Sequence, residues 1–336
     1  MKVTPNASLR DLNTFGLAAK AGSLVEIETE EEVLALPGFN PAFDLVLGRG
    51  SNVVFLSDVP GTVYMNRISG IDVVSEDGDD VLVEAGAGEN WHDLVLWSLD
   101  RELSGLENLS LIPGSVGAAP IQNIGAYGVE LASVLDTVTA WDWKSSSWAS
   151  LDRESCRLAY RDSVFKSAEP NRYLITSVRL RLSRSFEPQL KYEGLRAEIG
   201  VAELTPRSVS DAVIRLRDRK LPNPAASGNA GSFFKNPVVD ADQAEELFRK
   251  HAYMPAWPQA DGSVKLAAAW MIEECGLKGL REGGAQVSNR HALILVNRGS
   301  ASGHDISTLA IEIQKTVFEK FGVHLEPEPR LVDFQG

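Results

Sequence analysis

The chain has 336 residues, of which 44% are hydrophobic and 24% are charged, as in soluble globular proteins. Its formal net charge of −13 disfavours general binding to nucleic acid or to an anionic membrane, because phosphates would be repelled at long range. Anionic small molecules are not excluded where basic groups are gathered locally. The two cysteines, Cys156 and Cys275, are too few for the disulfide framework of a small secreted protein, so we expect a cytoplasmic location.

The start of the chain carries no apolar targeting segment, and we expect no membrane association. The longest apolar run, residues 266–272, is far shorter than the ~20 residues that a membrane-spanning helix needs.

The first sixty residues predict a small βαβ unit. Residues 24–28 and 44–48 have the pattern of strands, and residues 30–36 begin with acidic side chains, as helices do. A tight polar loop at 48–52 (GRGSN) and the apolar run 53–56 follow. The second strand therefore leads into a loop rich in backbone donors.

Short alternating strands are predicted from about residue 62 to 185, interrupted by a helix at 91–99 that Asn90 could cap. In their middle lies IPGSVGAAPIQNIGAYG, residues 112–128. So many permissive backbone positions in an apolar stretch predict backbone lying directly against a flat or phosphorylated ligand.

A helix bearing several arginines is predicted after Asp211, followed by the glycine-rich segment 227–236. Beyond it we expect a helix at 264–274, a strand at 292–297 and a helix at about 306–321 with Gly322 as its C-cap. The tail 323–334 predicts an edge strand, because Pro327 and Pro329 could not both lie in a central one.

Several common catalytic motifs are missing. Trp91 occupies the position of the last glycine in a would-be GxGxxG at 86–91, and the sequence has no phosphate-binding P-loop and no GxSxG. The histidines and cysteines lack metal-ligand spacing. An enzyme of this sequence would need another source of chemistry, and the glycine-rich segments indicate a bound organic cofactor.

Short motifs follow one another in a fixed order between residues 13 and 331. They are NTFG at 13–16, GRGSN at 48–52, GENWH at 88–92, GLEN at 105–108, IPGSVGAAPIQNIGAYG at 112–128, YRDSVFK at 160–166, KLPNP at 220–224, NAGSFFKNP at 229–237, PQADGSVKLA at 258–267, GGAQV at 283–287 and LEPEPR at 325–330. In this order they closely resemble the longer form of the UDP-N-acetylenolpyruvoylglucosamine reductase family, flavoenzymes of bacterial cell-wall precursor synthesis.

The resemblance implies an α+β protein with a vanillyl-alcohol-oxidase-like FAD-binding fold and a C-terminal substrate-binding domain. NADPH would reduce the bound FAD and leave, and UDP-N-acetylenolpyruvoylglucosamine would then take the same site. Hydride transfer to C3 of the enolpyruvyl group and proton addition at C2 would give UDP-N-acetylmuramate.

The resemblance also implies a domain division. FAD would be bound by residues 1–67, together with a final strand within 323–336, and by residues 68–215. Residues 222–322 would bind the substrate. We expect a monomer without nucleic-acid or membrane partners.

Three positions match the family's catalytic groups: Ser232 as the proton donor, with Glu328 and Arg161 at the reacting end of the substrate. Arg161 would hold the substrate carboxylate through a bidentate fork. On the residues alone, a turn serine, a solvated edge-strand glutamate and a surface arginine paired with Asp162 are simpler interpretations.

The binding residues are also assigned by the resemblance. Trp257 stands where longer-type relatives often carry tyrosine, so stacking on the uracil could replace a diphosphate contact, and Ala118 could contact the flavin only through its backbone N–H. The substrate positions are Tyr192, Lys220, Asn236, Trp257 and His291. The FAD positions are Gly48, Arg49, Gly50, Ser51, Asn52, Ile112, Pro113, Gly114, Gly117, Ala118, Ile121, Gly125, Ala126 and Arg217.

Two other functions stay open on the sequence. A flavin-dependent sugar or alcohol oxidase could share only the FAD domain, without the roles of Ser232 and Glu328. A sugar-nucleotide-binding protein could lack the cofactor altogether.

Overall fold

The structure is a computed structural model and describes residues 1–334. The helices are α1 Glu30–Leu34, α2 Trp91–Leu99, α3 Leu195–Ile199, α4 Pro206–Lys220, α5 Ala241–Lys250, α6 Ala268–Glu274 and α7 Gly303–Phe321. The strands are β1 Lys2–Ser8, β2 Lys20–Ile27, β3 Leu45–Leu47, β4 Val53–Phe55, β5 Val59–Asn66, β6 Ile71–Asp77, β7 Asp80–Gly86, β8 Gly125–Ala126, β9 Val129–Glu130, β10 Leu135–Asp142, β11 Ser147–Asp152, β12 Tyr173–Ser183, β13 Val238–Val239, β14 Ala256–Pro258, β15 Val264–Leu266, β16 Arg281–Glu282, β17 Ala285–Val287, β18 Leu295–Asn297 and β19 Arg330–Val332.

The chain forms two compact units, each built from several segments. The first contains Met1–Ala7, Lys20–Gly50 and Val59–Arg219, and the second contains Ser8–Ala19, Ser51–Asp58 and the described residues from Lys220 onward. The mixture of helices and strands confirms the predicted α+β class. The predicted division at 67, 215 and 322 stays a prediction, and residues 335 and 336 of its last segment lie outside the described part of the chain.

One sheet of the first unit contains the predicted βαβ unit. Its strand order is β1-β2-β5-β3, and β5 runs parallel to both β2 and β3. The short helix α1 begins because the Thr29 side chain accepts the N–H of Glu32, and it buries Val33 against Ile27 and Tyr64. This packing fixes β3, whose last residue precedes the glycine-rich loop.

The second sheet of this unit has the order β11-β10-β12-β7-β6, with every neighbouring pair antiparallel. Helix α2 packs in its core, and Asn90 caps it as predicted, accepting the N–H groups of His92 and Asp93. Its first residue, Trp91, is fully buried and donates Nε1–H to the Leu109 carbonyl at 2.9 Å. The indole therefore ties α2 to the chain just before the glycine-rich segment.

In the second unit, α7 and the parallel pair β4–β19 form the framework. Ser302 and Asp305 cap α7 reciprocally, so the helix begins three residues before the predicted start at 306. Gly322 closes it with φ +66°, which confirms the predicted C-cap.

Two predicted elements of this unit differ from the structure. The helix predicted for 264–274 is a strand over Val264–Leu266 and a helix only from Ala268, because Lys265 pairs with both Val238 and Trp257 across a three-stranded sheet. The tail predicted as a strand over 323–334 is a continuous strand only over Arg330–Val332. Before it, pairing is reduced to an isolated bridge between Pro327 and Phe234, because Pro327 and Pro329 have no N–H to donate.

Candidate active site

The predicted cofactor loops meet in the first unit at Gly48. A Cβ added there would lie 2.7 Å from the Ser115 hydroxyl oxygen and 3.5 Å from the Ala118 Cβ. Glycine at position 48 therefore allows the two loops to approach closely without displacing the Ser115 side chain. Gly50 is buried with φ +63°, whereas the Arg49 side chain is exposed.

The backbone of the segment 112–126 is held by its own hydrogen bonds. The N–H of Gly117 donates to the Ala87 carbonyl at 2.9 Å, and a Cβ on Gly117 would collide with Ala87. The N–H of Ala118 donates to the Ser115 carbonyl at 3.1 Å. The predicted flavin contact through the Ala118 N–H stays a prediction, and this existing bond would compete with it.

His92 fixes the chain where it enters this segment. Its Nδ1 accepts the N–H of Leu111 at 3.1 Å, and Leu111 lies in the left-handed region with φ +59°. Burial lowers the pKa of His92, and the charge of Arg217 lowers it further while Asp93 opposes the shift. The neutral imidazole is therefore the form that can accept this bond.

Arg217, on α4, is a partly buried cation of the first unit. Its Nε is buried and has no hydrogen-bond partner among residues 1–334. Burial lowers its pKa; Tyr127 opposes this shift, and the charge of Arg161 adds to it. By contrast, Arg215 and Arg219 on the same helix both pair with Glu198.

An unsatisfied buried guanidinium nitrogen beside a second arginine fits an anionic ligand. Together with the close glycine approach at Gly48, Arg217 makes this unit suitable for the diphosphate of FAD.

Arg161 lies in a two-residue turn closed by reciprocal backbone bonds between Ala159 and Asp162. Its own backbone has φ +55°, and its guanidinium Nη2 donates to the Gly125 carbonyl at 3.0 Å. The Asp162 carboxylate accepts the N–H of Ser163 and the Ser167 hydroxyl.

Tyr192 lies in the same part of the first unit as Arg161 and Arg217. Its ring meets that of Tyr127 edge to face, with 4.6 Å between centroids. Burial raises the pKa of Tyr127 to about 12. Since Tyr127 also interacts electrostatically with Arg217, the first unit brings Arg161, Arg217 and Tyr192 into one neighbourhood.

The second unit brings the segments of Ser232 and Glu328 side by side. The N–H of Glu328 donates to the carbonyl of Phe233 at 2.8 Å, immediately after Ser232. Asn52 contacts the same stretch, since its Nδ2 donates to the Glu328 carbonyl and its own carbonyl accepts the N–H of Arg330. Ser232 forms a bridge to Ile294 on the other side.

Asn229 shapes the loop that carries Ser232. Its Nδ2 donates to the carbonyls of Pro222 and Ser227, and its Oδ1 accepts the N–H of Gly231, which has φ +72°. These bonds fix the turn from which Ser232 leaves.

His291 and Lys220 interact within this unit. Burial lowers the pKa of His291, and the charge of Lys220 lowers it further. The Nδ1 of His291 accepts the N–H of Leu293 at 3.2 Å. Ser232, the proposed proton donor, forms a bridge with Ile294. The segment that contains His291 therefore runs beside Ser232.

Asn236 and Trp257 occupy the remaining predicted substrate positions. The Oδ1 of Asn236 accepts the N–H of Ala268 at the start of α6. This bond orients the amide, whose Nδ2 group is the donor that could bind an anion. Trp257 is 46% exposed on β14 and pairs with Lys265 on β15. Lys265 was not identified from the sequence, although its place beside Trp257 makes it a cation of the same surface.

Sequence reasoning also missed His92, Asn123, Tyr127 and Asn229. Asn229 lies between glycines, and Asn123 and Tyr127 are non-glycine residues in left-handed conformation within the glycine-rich segment. Asparagine tolerates this conformation better than most residues, which was the available signal for Asn123.

In residues 1–334 no group of three or more histidine, cysteine or acidic side chains could hold a metal ion. The same part of the chain contains no helix that is both long and apolar enough to cross a bilayer.

Two family models match the chain. One, described as an FAD binding domain, matches residues 22–145, and the other, described as the C-terminal domain of UDP-N-acetylenolpyruvoylglucosamine reductase, matches residues 223–332. The close approach at Gly48, whose neighbours Ser115 and Ala118 also lie within residues 22–145, agrees with the first match. The class is thus defined: the chain is an FAD-binding flavoprotein.

Similar proteins extend over nearly the whole chain. A UDP-N-acetylenolpyruvoylglucosamine reductase of Chromobacterium violaceum is 49% identical over 334 residues, covering 97% of this chain and 98% of that protein. One of Azoarcus sp. (strain BH72) is 51% identical over 342 residues, covering 99% and 98%. The crystal structure of UDP-N-acetylenolpyruvylglucosamine reductase from Thermus caldophilus matches with a TM-score of 0.69 and 26% identity, covering 99% of this chain and 98% of that one.

The chain belongs to the UDP-N-acetylenolpyruvoylglucosamine reductase family and is an FAD-dependent oxidoreductase. The predicted family and cofactor are confirmed. The match at 223–332 contradicts an oxidase that shares only the flavin domain. The roles of the individual site residues stay predictions.

Proposed function

We propose that this protein reduces UDP-N-acetylenolpyruvoylglucosamine to UDP-N-acetylmuramate with electrons from NADPH. The observation that carries the assignment of the reacting residues is the 2.8 Å hydrogen bond from the Glu328 N–H to the Phe233 carbonyl. This bond places the segment that carries the Glu328 carboxylate beside the segment that carries the Ser232 hydroxyl, within the second unit. Bound FAD would supply the hydride chemistry, from NADPH to C3 of the enolpyruvyl group.

Ser232 is the proposed proton donor to C2. Its hydroxyl gives up a proton as negative charge develops beside C2, and one proton from solvent restores it after turnover. The overall reaction then consumes the enolpyruvyl substrate, NADPH and one proton, and forms the saturated lactyl ether and NADP⁺. Glu328 orients or polarises the reacting group from the neighbouring segment.

Arg161 is the proposed holder of the substrate carboxylate. Hydride addition at C3 pushes electron density through C2 onto this carboxylate, and a guanidinium fork stabilises charge there. One of its donors binds the Gly125 carbonyl at 3.0 Å, which sets the plane of the group.

The diphosphate and uridine are assigned to Lys220, Asn236, Tyr192, Trp257 and His291. In a protein of net charge −13, the positive charge of Lys220 would offer a dianionic ligand a locally favourable field, and the other side chains would add neutral contacts. We assign binding of the FAD diphosphate to the loops 48–52 and 112–126 and to Arg217. We also propose that the enzyme acts as a cytoplasmic monomer.

An anaerobic two-step experiment tests this function. The purified yellow protein is reduced with NADPH, NADP⁺ is removed, and the enolpyruvyl sugar nucleotide is added while flavin absorbance is followed. We expect flavin reoxidation together with formation of one UDP-N-acetylmuramate per flavin.

Reoxidation by oxygen but not by the sugar nucleotide would contradict the proposal and indicate an oxidase. A colourless protein that binds the sugar nucleotide and cannot be loaded with FAD would indicate a binding protein. Size-exclusion chromatography with light scattering tests the monomer, and a mass of two chains would overturn it.

A further inference from the structure

Asn123 is the most completely engaged polar side chain beside the proposed catalytic arginine. It is fully buried, at 0% exposure, within the glycine-rich segment of the first unit. Its backbone has φ +44°, which is the left-handed region that asparagine tolerates.

Both polar atoms of this side chain are used. Nδ2 donates to the Ala159 carbonyl at 3.1 Å and to a Glu130 carboxylate oxygen at 2.8 Å, and Oδ1 accepts the N–H of Ala132 at 2.9 Å. A buried amide with these three hydrogen bonds ties its own segment to the Ala159 turn and to the stretch 130–132.

Two of these contacts lead to the anchors of Arg161. Ala159 closes the turn that holds Arg161 at φ +55°. Glu130 pairs across a two-stranded sheet with Gly125, whose carbonyl accepts the Arg161 guanidinium. A Cβ on Gly125 would lie 2.9 Å from the Glu130 Cγ and 3.3 Å from the Arg161 Nη1, so these groups enclose Gly125 closely.

We propose that Asn123 is a positioning residue that sets the orientation of the Arg161 guanidinium by holding the Ala159 turn and the Glu130 side chain together. The proposal rests on the proposed role of Arg161 in substrate reduction. It adds that the left-handed turn of Arg161 depends on a side chain 38 positions earlier in the chain, outside the arginine's own motif. Arg161 touches the substrate in this mechanism, and Asn123 does not.

The test uses Asn123→Gly, which keeps the left-handed backbone accessible and removes the amide. The second variant, Asn123→Asp, keeps the acceptor for Ala132 but replaces both donors and places a carboxylate against Glu130. Asn66→Gly is the control, because Asn66 is also a buried asparagine of the first unit, bonded to the Ile175 carbonyl and the Ile68 N–H away from Arg161.

The first readout is kinetic. A misplacement of about 1 Å can cost roughly 100-fold in rate, so both Asn123 variants should slow flavin oxidation by the enolpyruvyl substrate by about 10- to 100-fold. Flavin reduction by NADPH should stay within about threefold, and adding Arg161→Ala should cause no loss beyond that of Arg161→Ala alone. Asn66→Gly should combine multiplicatively with Arg161→Ala.

The second readout does not depend on activity. Amide hydrogen exchange at Ala159 and Asp162 should accelerate at least tenfold in both Asn123 variants and stay unchanged in Asn66→Gly. Unchanged exchange at these two amides would overturn the proposal, and so would independent kinetic effects of Asn123 and Arg161.

The failure of the proposed function gives a different pattern. In that case Arg161→Ala leaves substrate reduction intact, while the exchange measurement still tests the link between Asn123 and the turn. If Asn123→Gly does not fold, Asn123→Asp carries both measurements; if neither retains native structure while Asn66→Gly does, a global structural role replaces the positioning role and the proposal is wrong.

Discussion

Several non-glycine residues of the candidate site have the left-handed backbone conformation that usually favours glycine. Leu111, Asn123, Tyr127 and Arg161 all have φ between +44° and +59°. Each such conformation costs on the order of 1 kcal/mol and persists only where neighbouring contacts fix it. His92 supplies such a contact for Leu111, and Gly125 accepts the Arg161 side chain. Four of the nine non-glycine residues with positive φ in the described part of the chain therefore belong to the candidate site.

Ser232→Ala tests the proton donor. The hydroxyl is needed only when C2 is protonated, so flavin reduction by NADPH should stay near normal, while oxidation by the enolpyruvyl substrate slows by about 10²- to 10⁴-fold. Stopped-flow absorbance of the flavin measures both half-reactions. Ser227→Ala, in the same loop, is the control, and equal damage to both half-reactions in Ser232→Ala would exclude the assignment.

Lys220→Met tests the anion site. Loss of a charge-assisted hydrogen bond is worth about 1.5–3 kcal/mol, so the KM values for both NADPH and the sugar nucleotide should rise roughly 10- to 100-fold. Since the Lys220 charge depresses the pKa of His291, this pKa should rise in the variant, as measured by NMR titration.

Lys250→Met, at an exposed ion pair with Glu246, is the control. Unchanged KM values for both ligands in Lys220→Met would refute the shared anion site.

At the scale of elements, α7 depends on close contact with β4. A Cβ on Gly303 would collide with the Phe55 carbonyl, and the capping box of Ser302 fixes the helix start at this point. The first turn of α7 therefore leaves no room for a side chain at Gly303.

Gly303→Ala tests this contact. Overpacking of this kind costs about 1–3 kcal/mol, so urea denaturation should show a lower free energy of unfolding by that amount. The control is His304→Ala, at the next, exposed position, which introduces alanine without the collision. A neutral or stabilising effect of Gly303→Ala would show that the helix shifts freely.

Elements with local signals were predictable from the sequence. The Asn90 cap and the Gly322 C-cap are properties of neighbouring residues, and the structure confirms both. The strand Val264–Leu266 was not predicted, because its partners Val238 and Trp257 are distant in sequence and pairing outweighs helix propensity. Motif resemblance indicated Arg161, whereas Asn123 emerges only from contacts between remote segments.

At the scale of the whole molecule, the net charge is −13. The arginines of α4 nevertheless differ in how closely acidic side chains pair with them. On α4, Arg215 and Arg219 are paired with Glu198, whose pKa they lower to about 2, whereas Arg217 interacts electrostatically with Tyr127 and Arg161. The arginines of this helix therefore divide into two that form ion pairs and one for which we propose an anionic ligand.

Two partly buried histidines predict a loss of stability in mild acid. The pKa values of His92 and His291 are lowered by burial, so both take up protons more readily in the unfolded chain than in the folded one. Stability is complete above the unfolded pKa of about 6.5 and falls as pH decreases below it, by up to about 1.4 kcal/mol per pH unit for each group.

Denaturant unfolding between pH 8 and 5 measures this slope. It should be shallower in His92→Gln/His291→Gln and unchanged in His304→Gln at an exposed position. An identical slope in the double variant would contradict the prediction.

The second unit is assembled from both ends of the chain, and this has a consequence for its synthesis. Asn52 bonds to the Glu328 carbonyl, 276 residues away, and within residues 1–334 the strand β4 pairs with β19 alone. Contacts of such sequence separation form late, because loop closure must come first. On the ribosome, β4 would remain without this partner until Arg330–Val332 has emerged, while most of the first unit could already fold. Emergence of this strand would then complete the segment that carries Glu328.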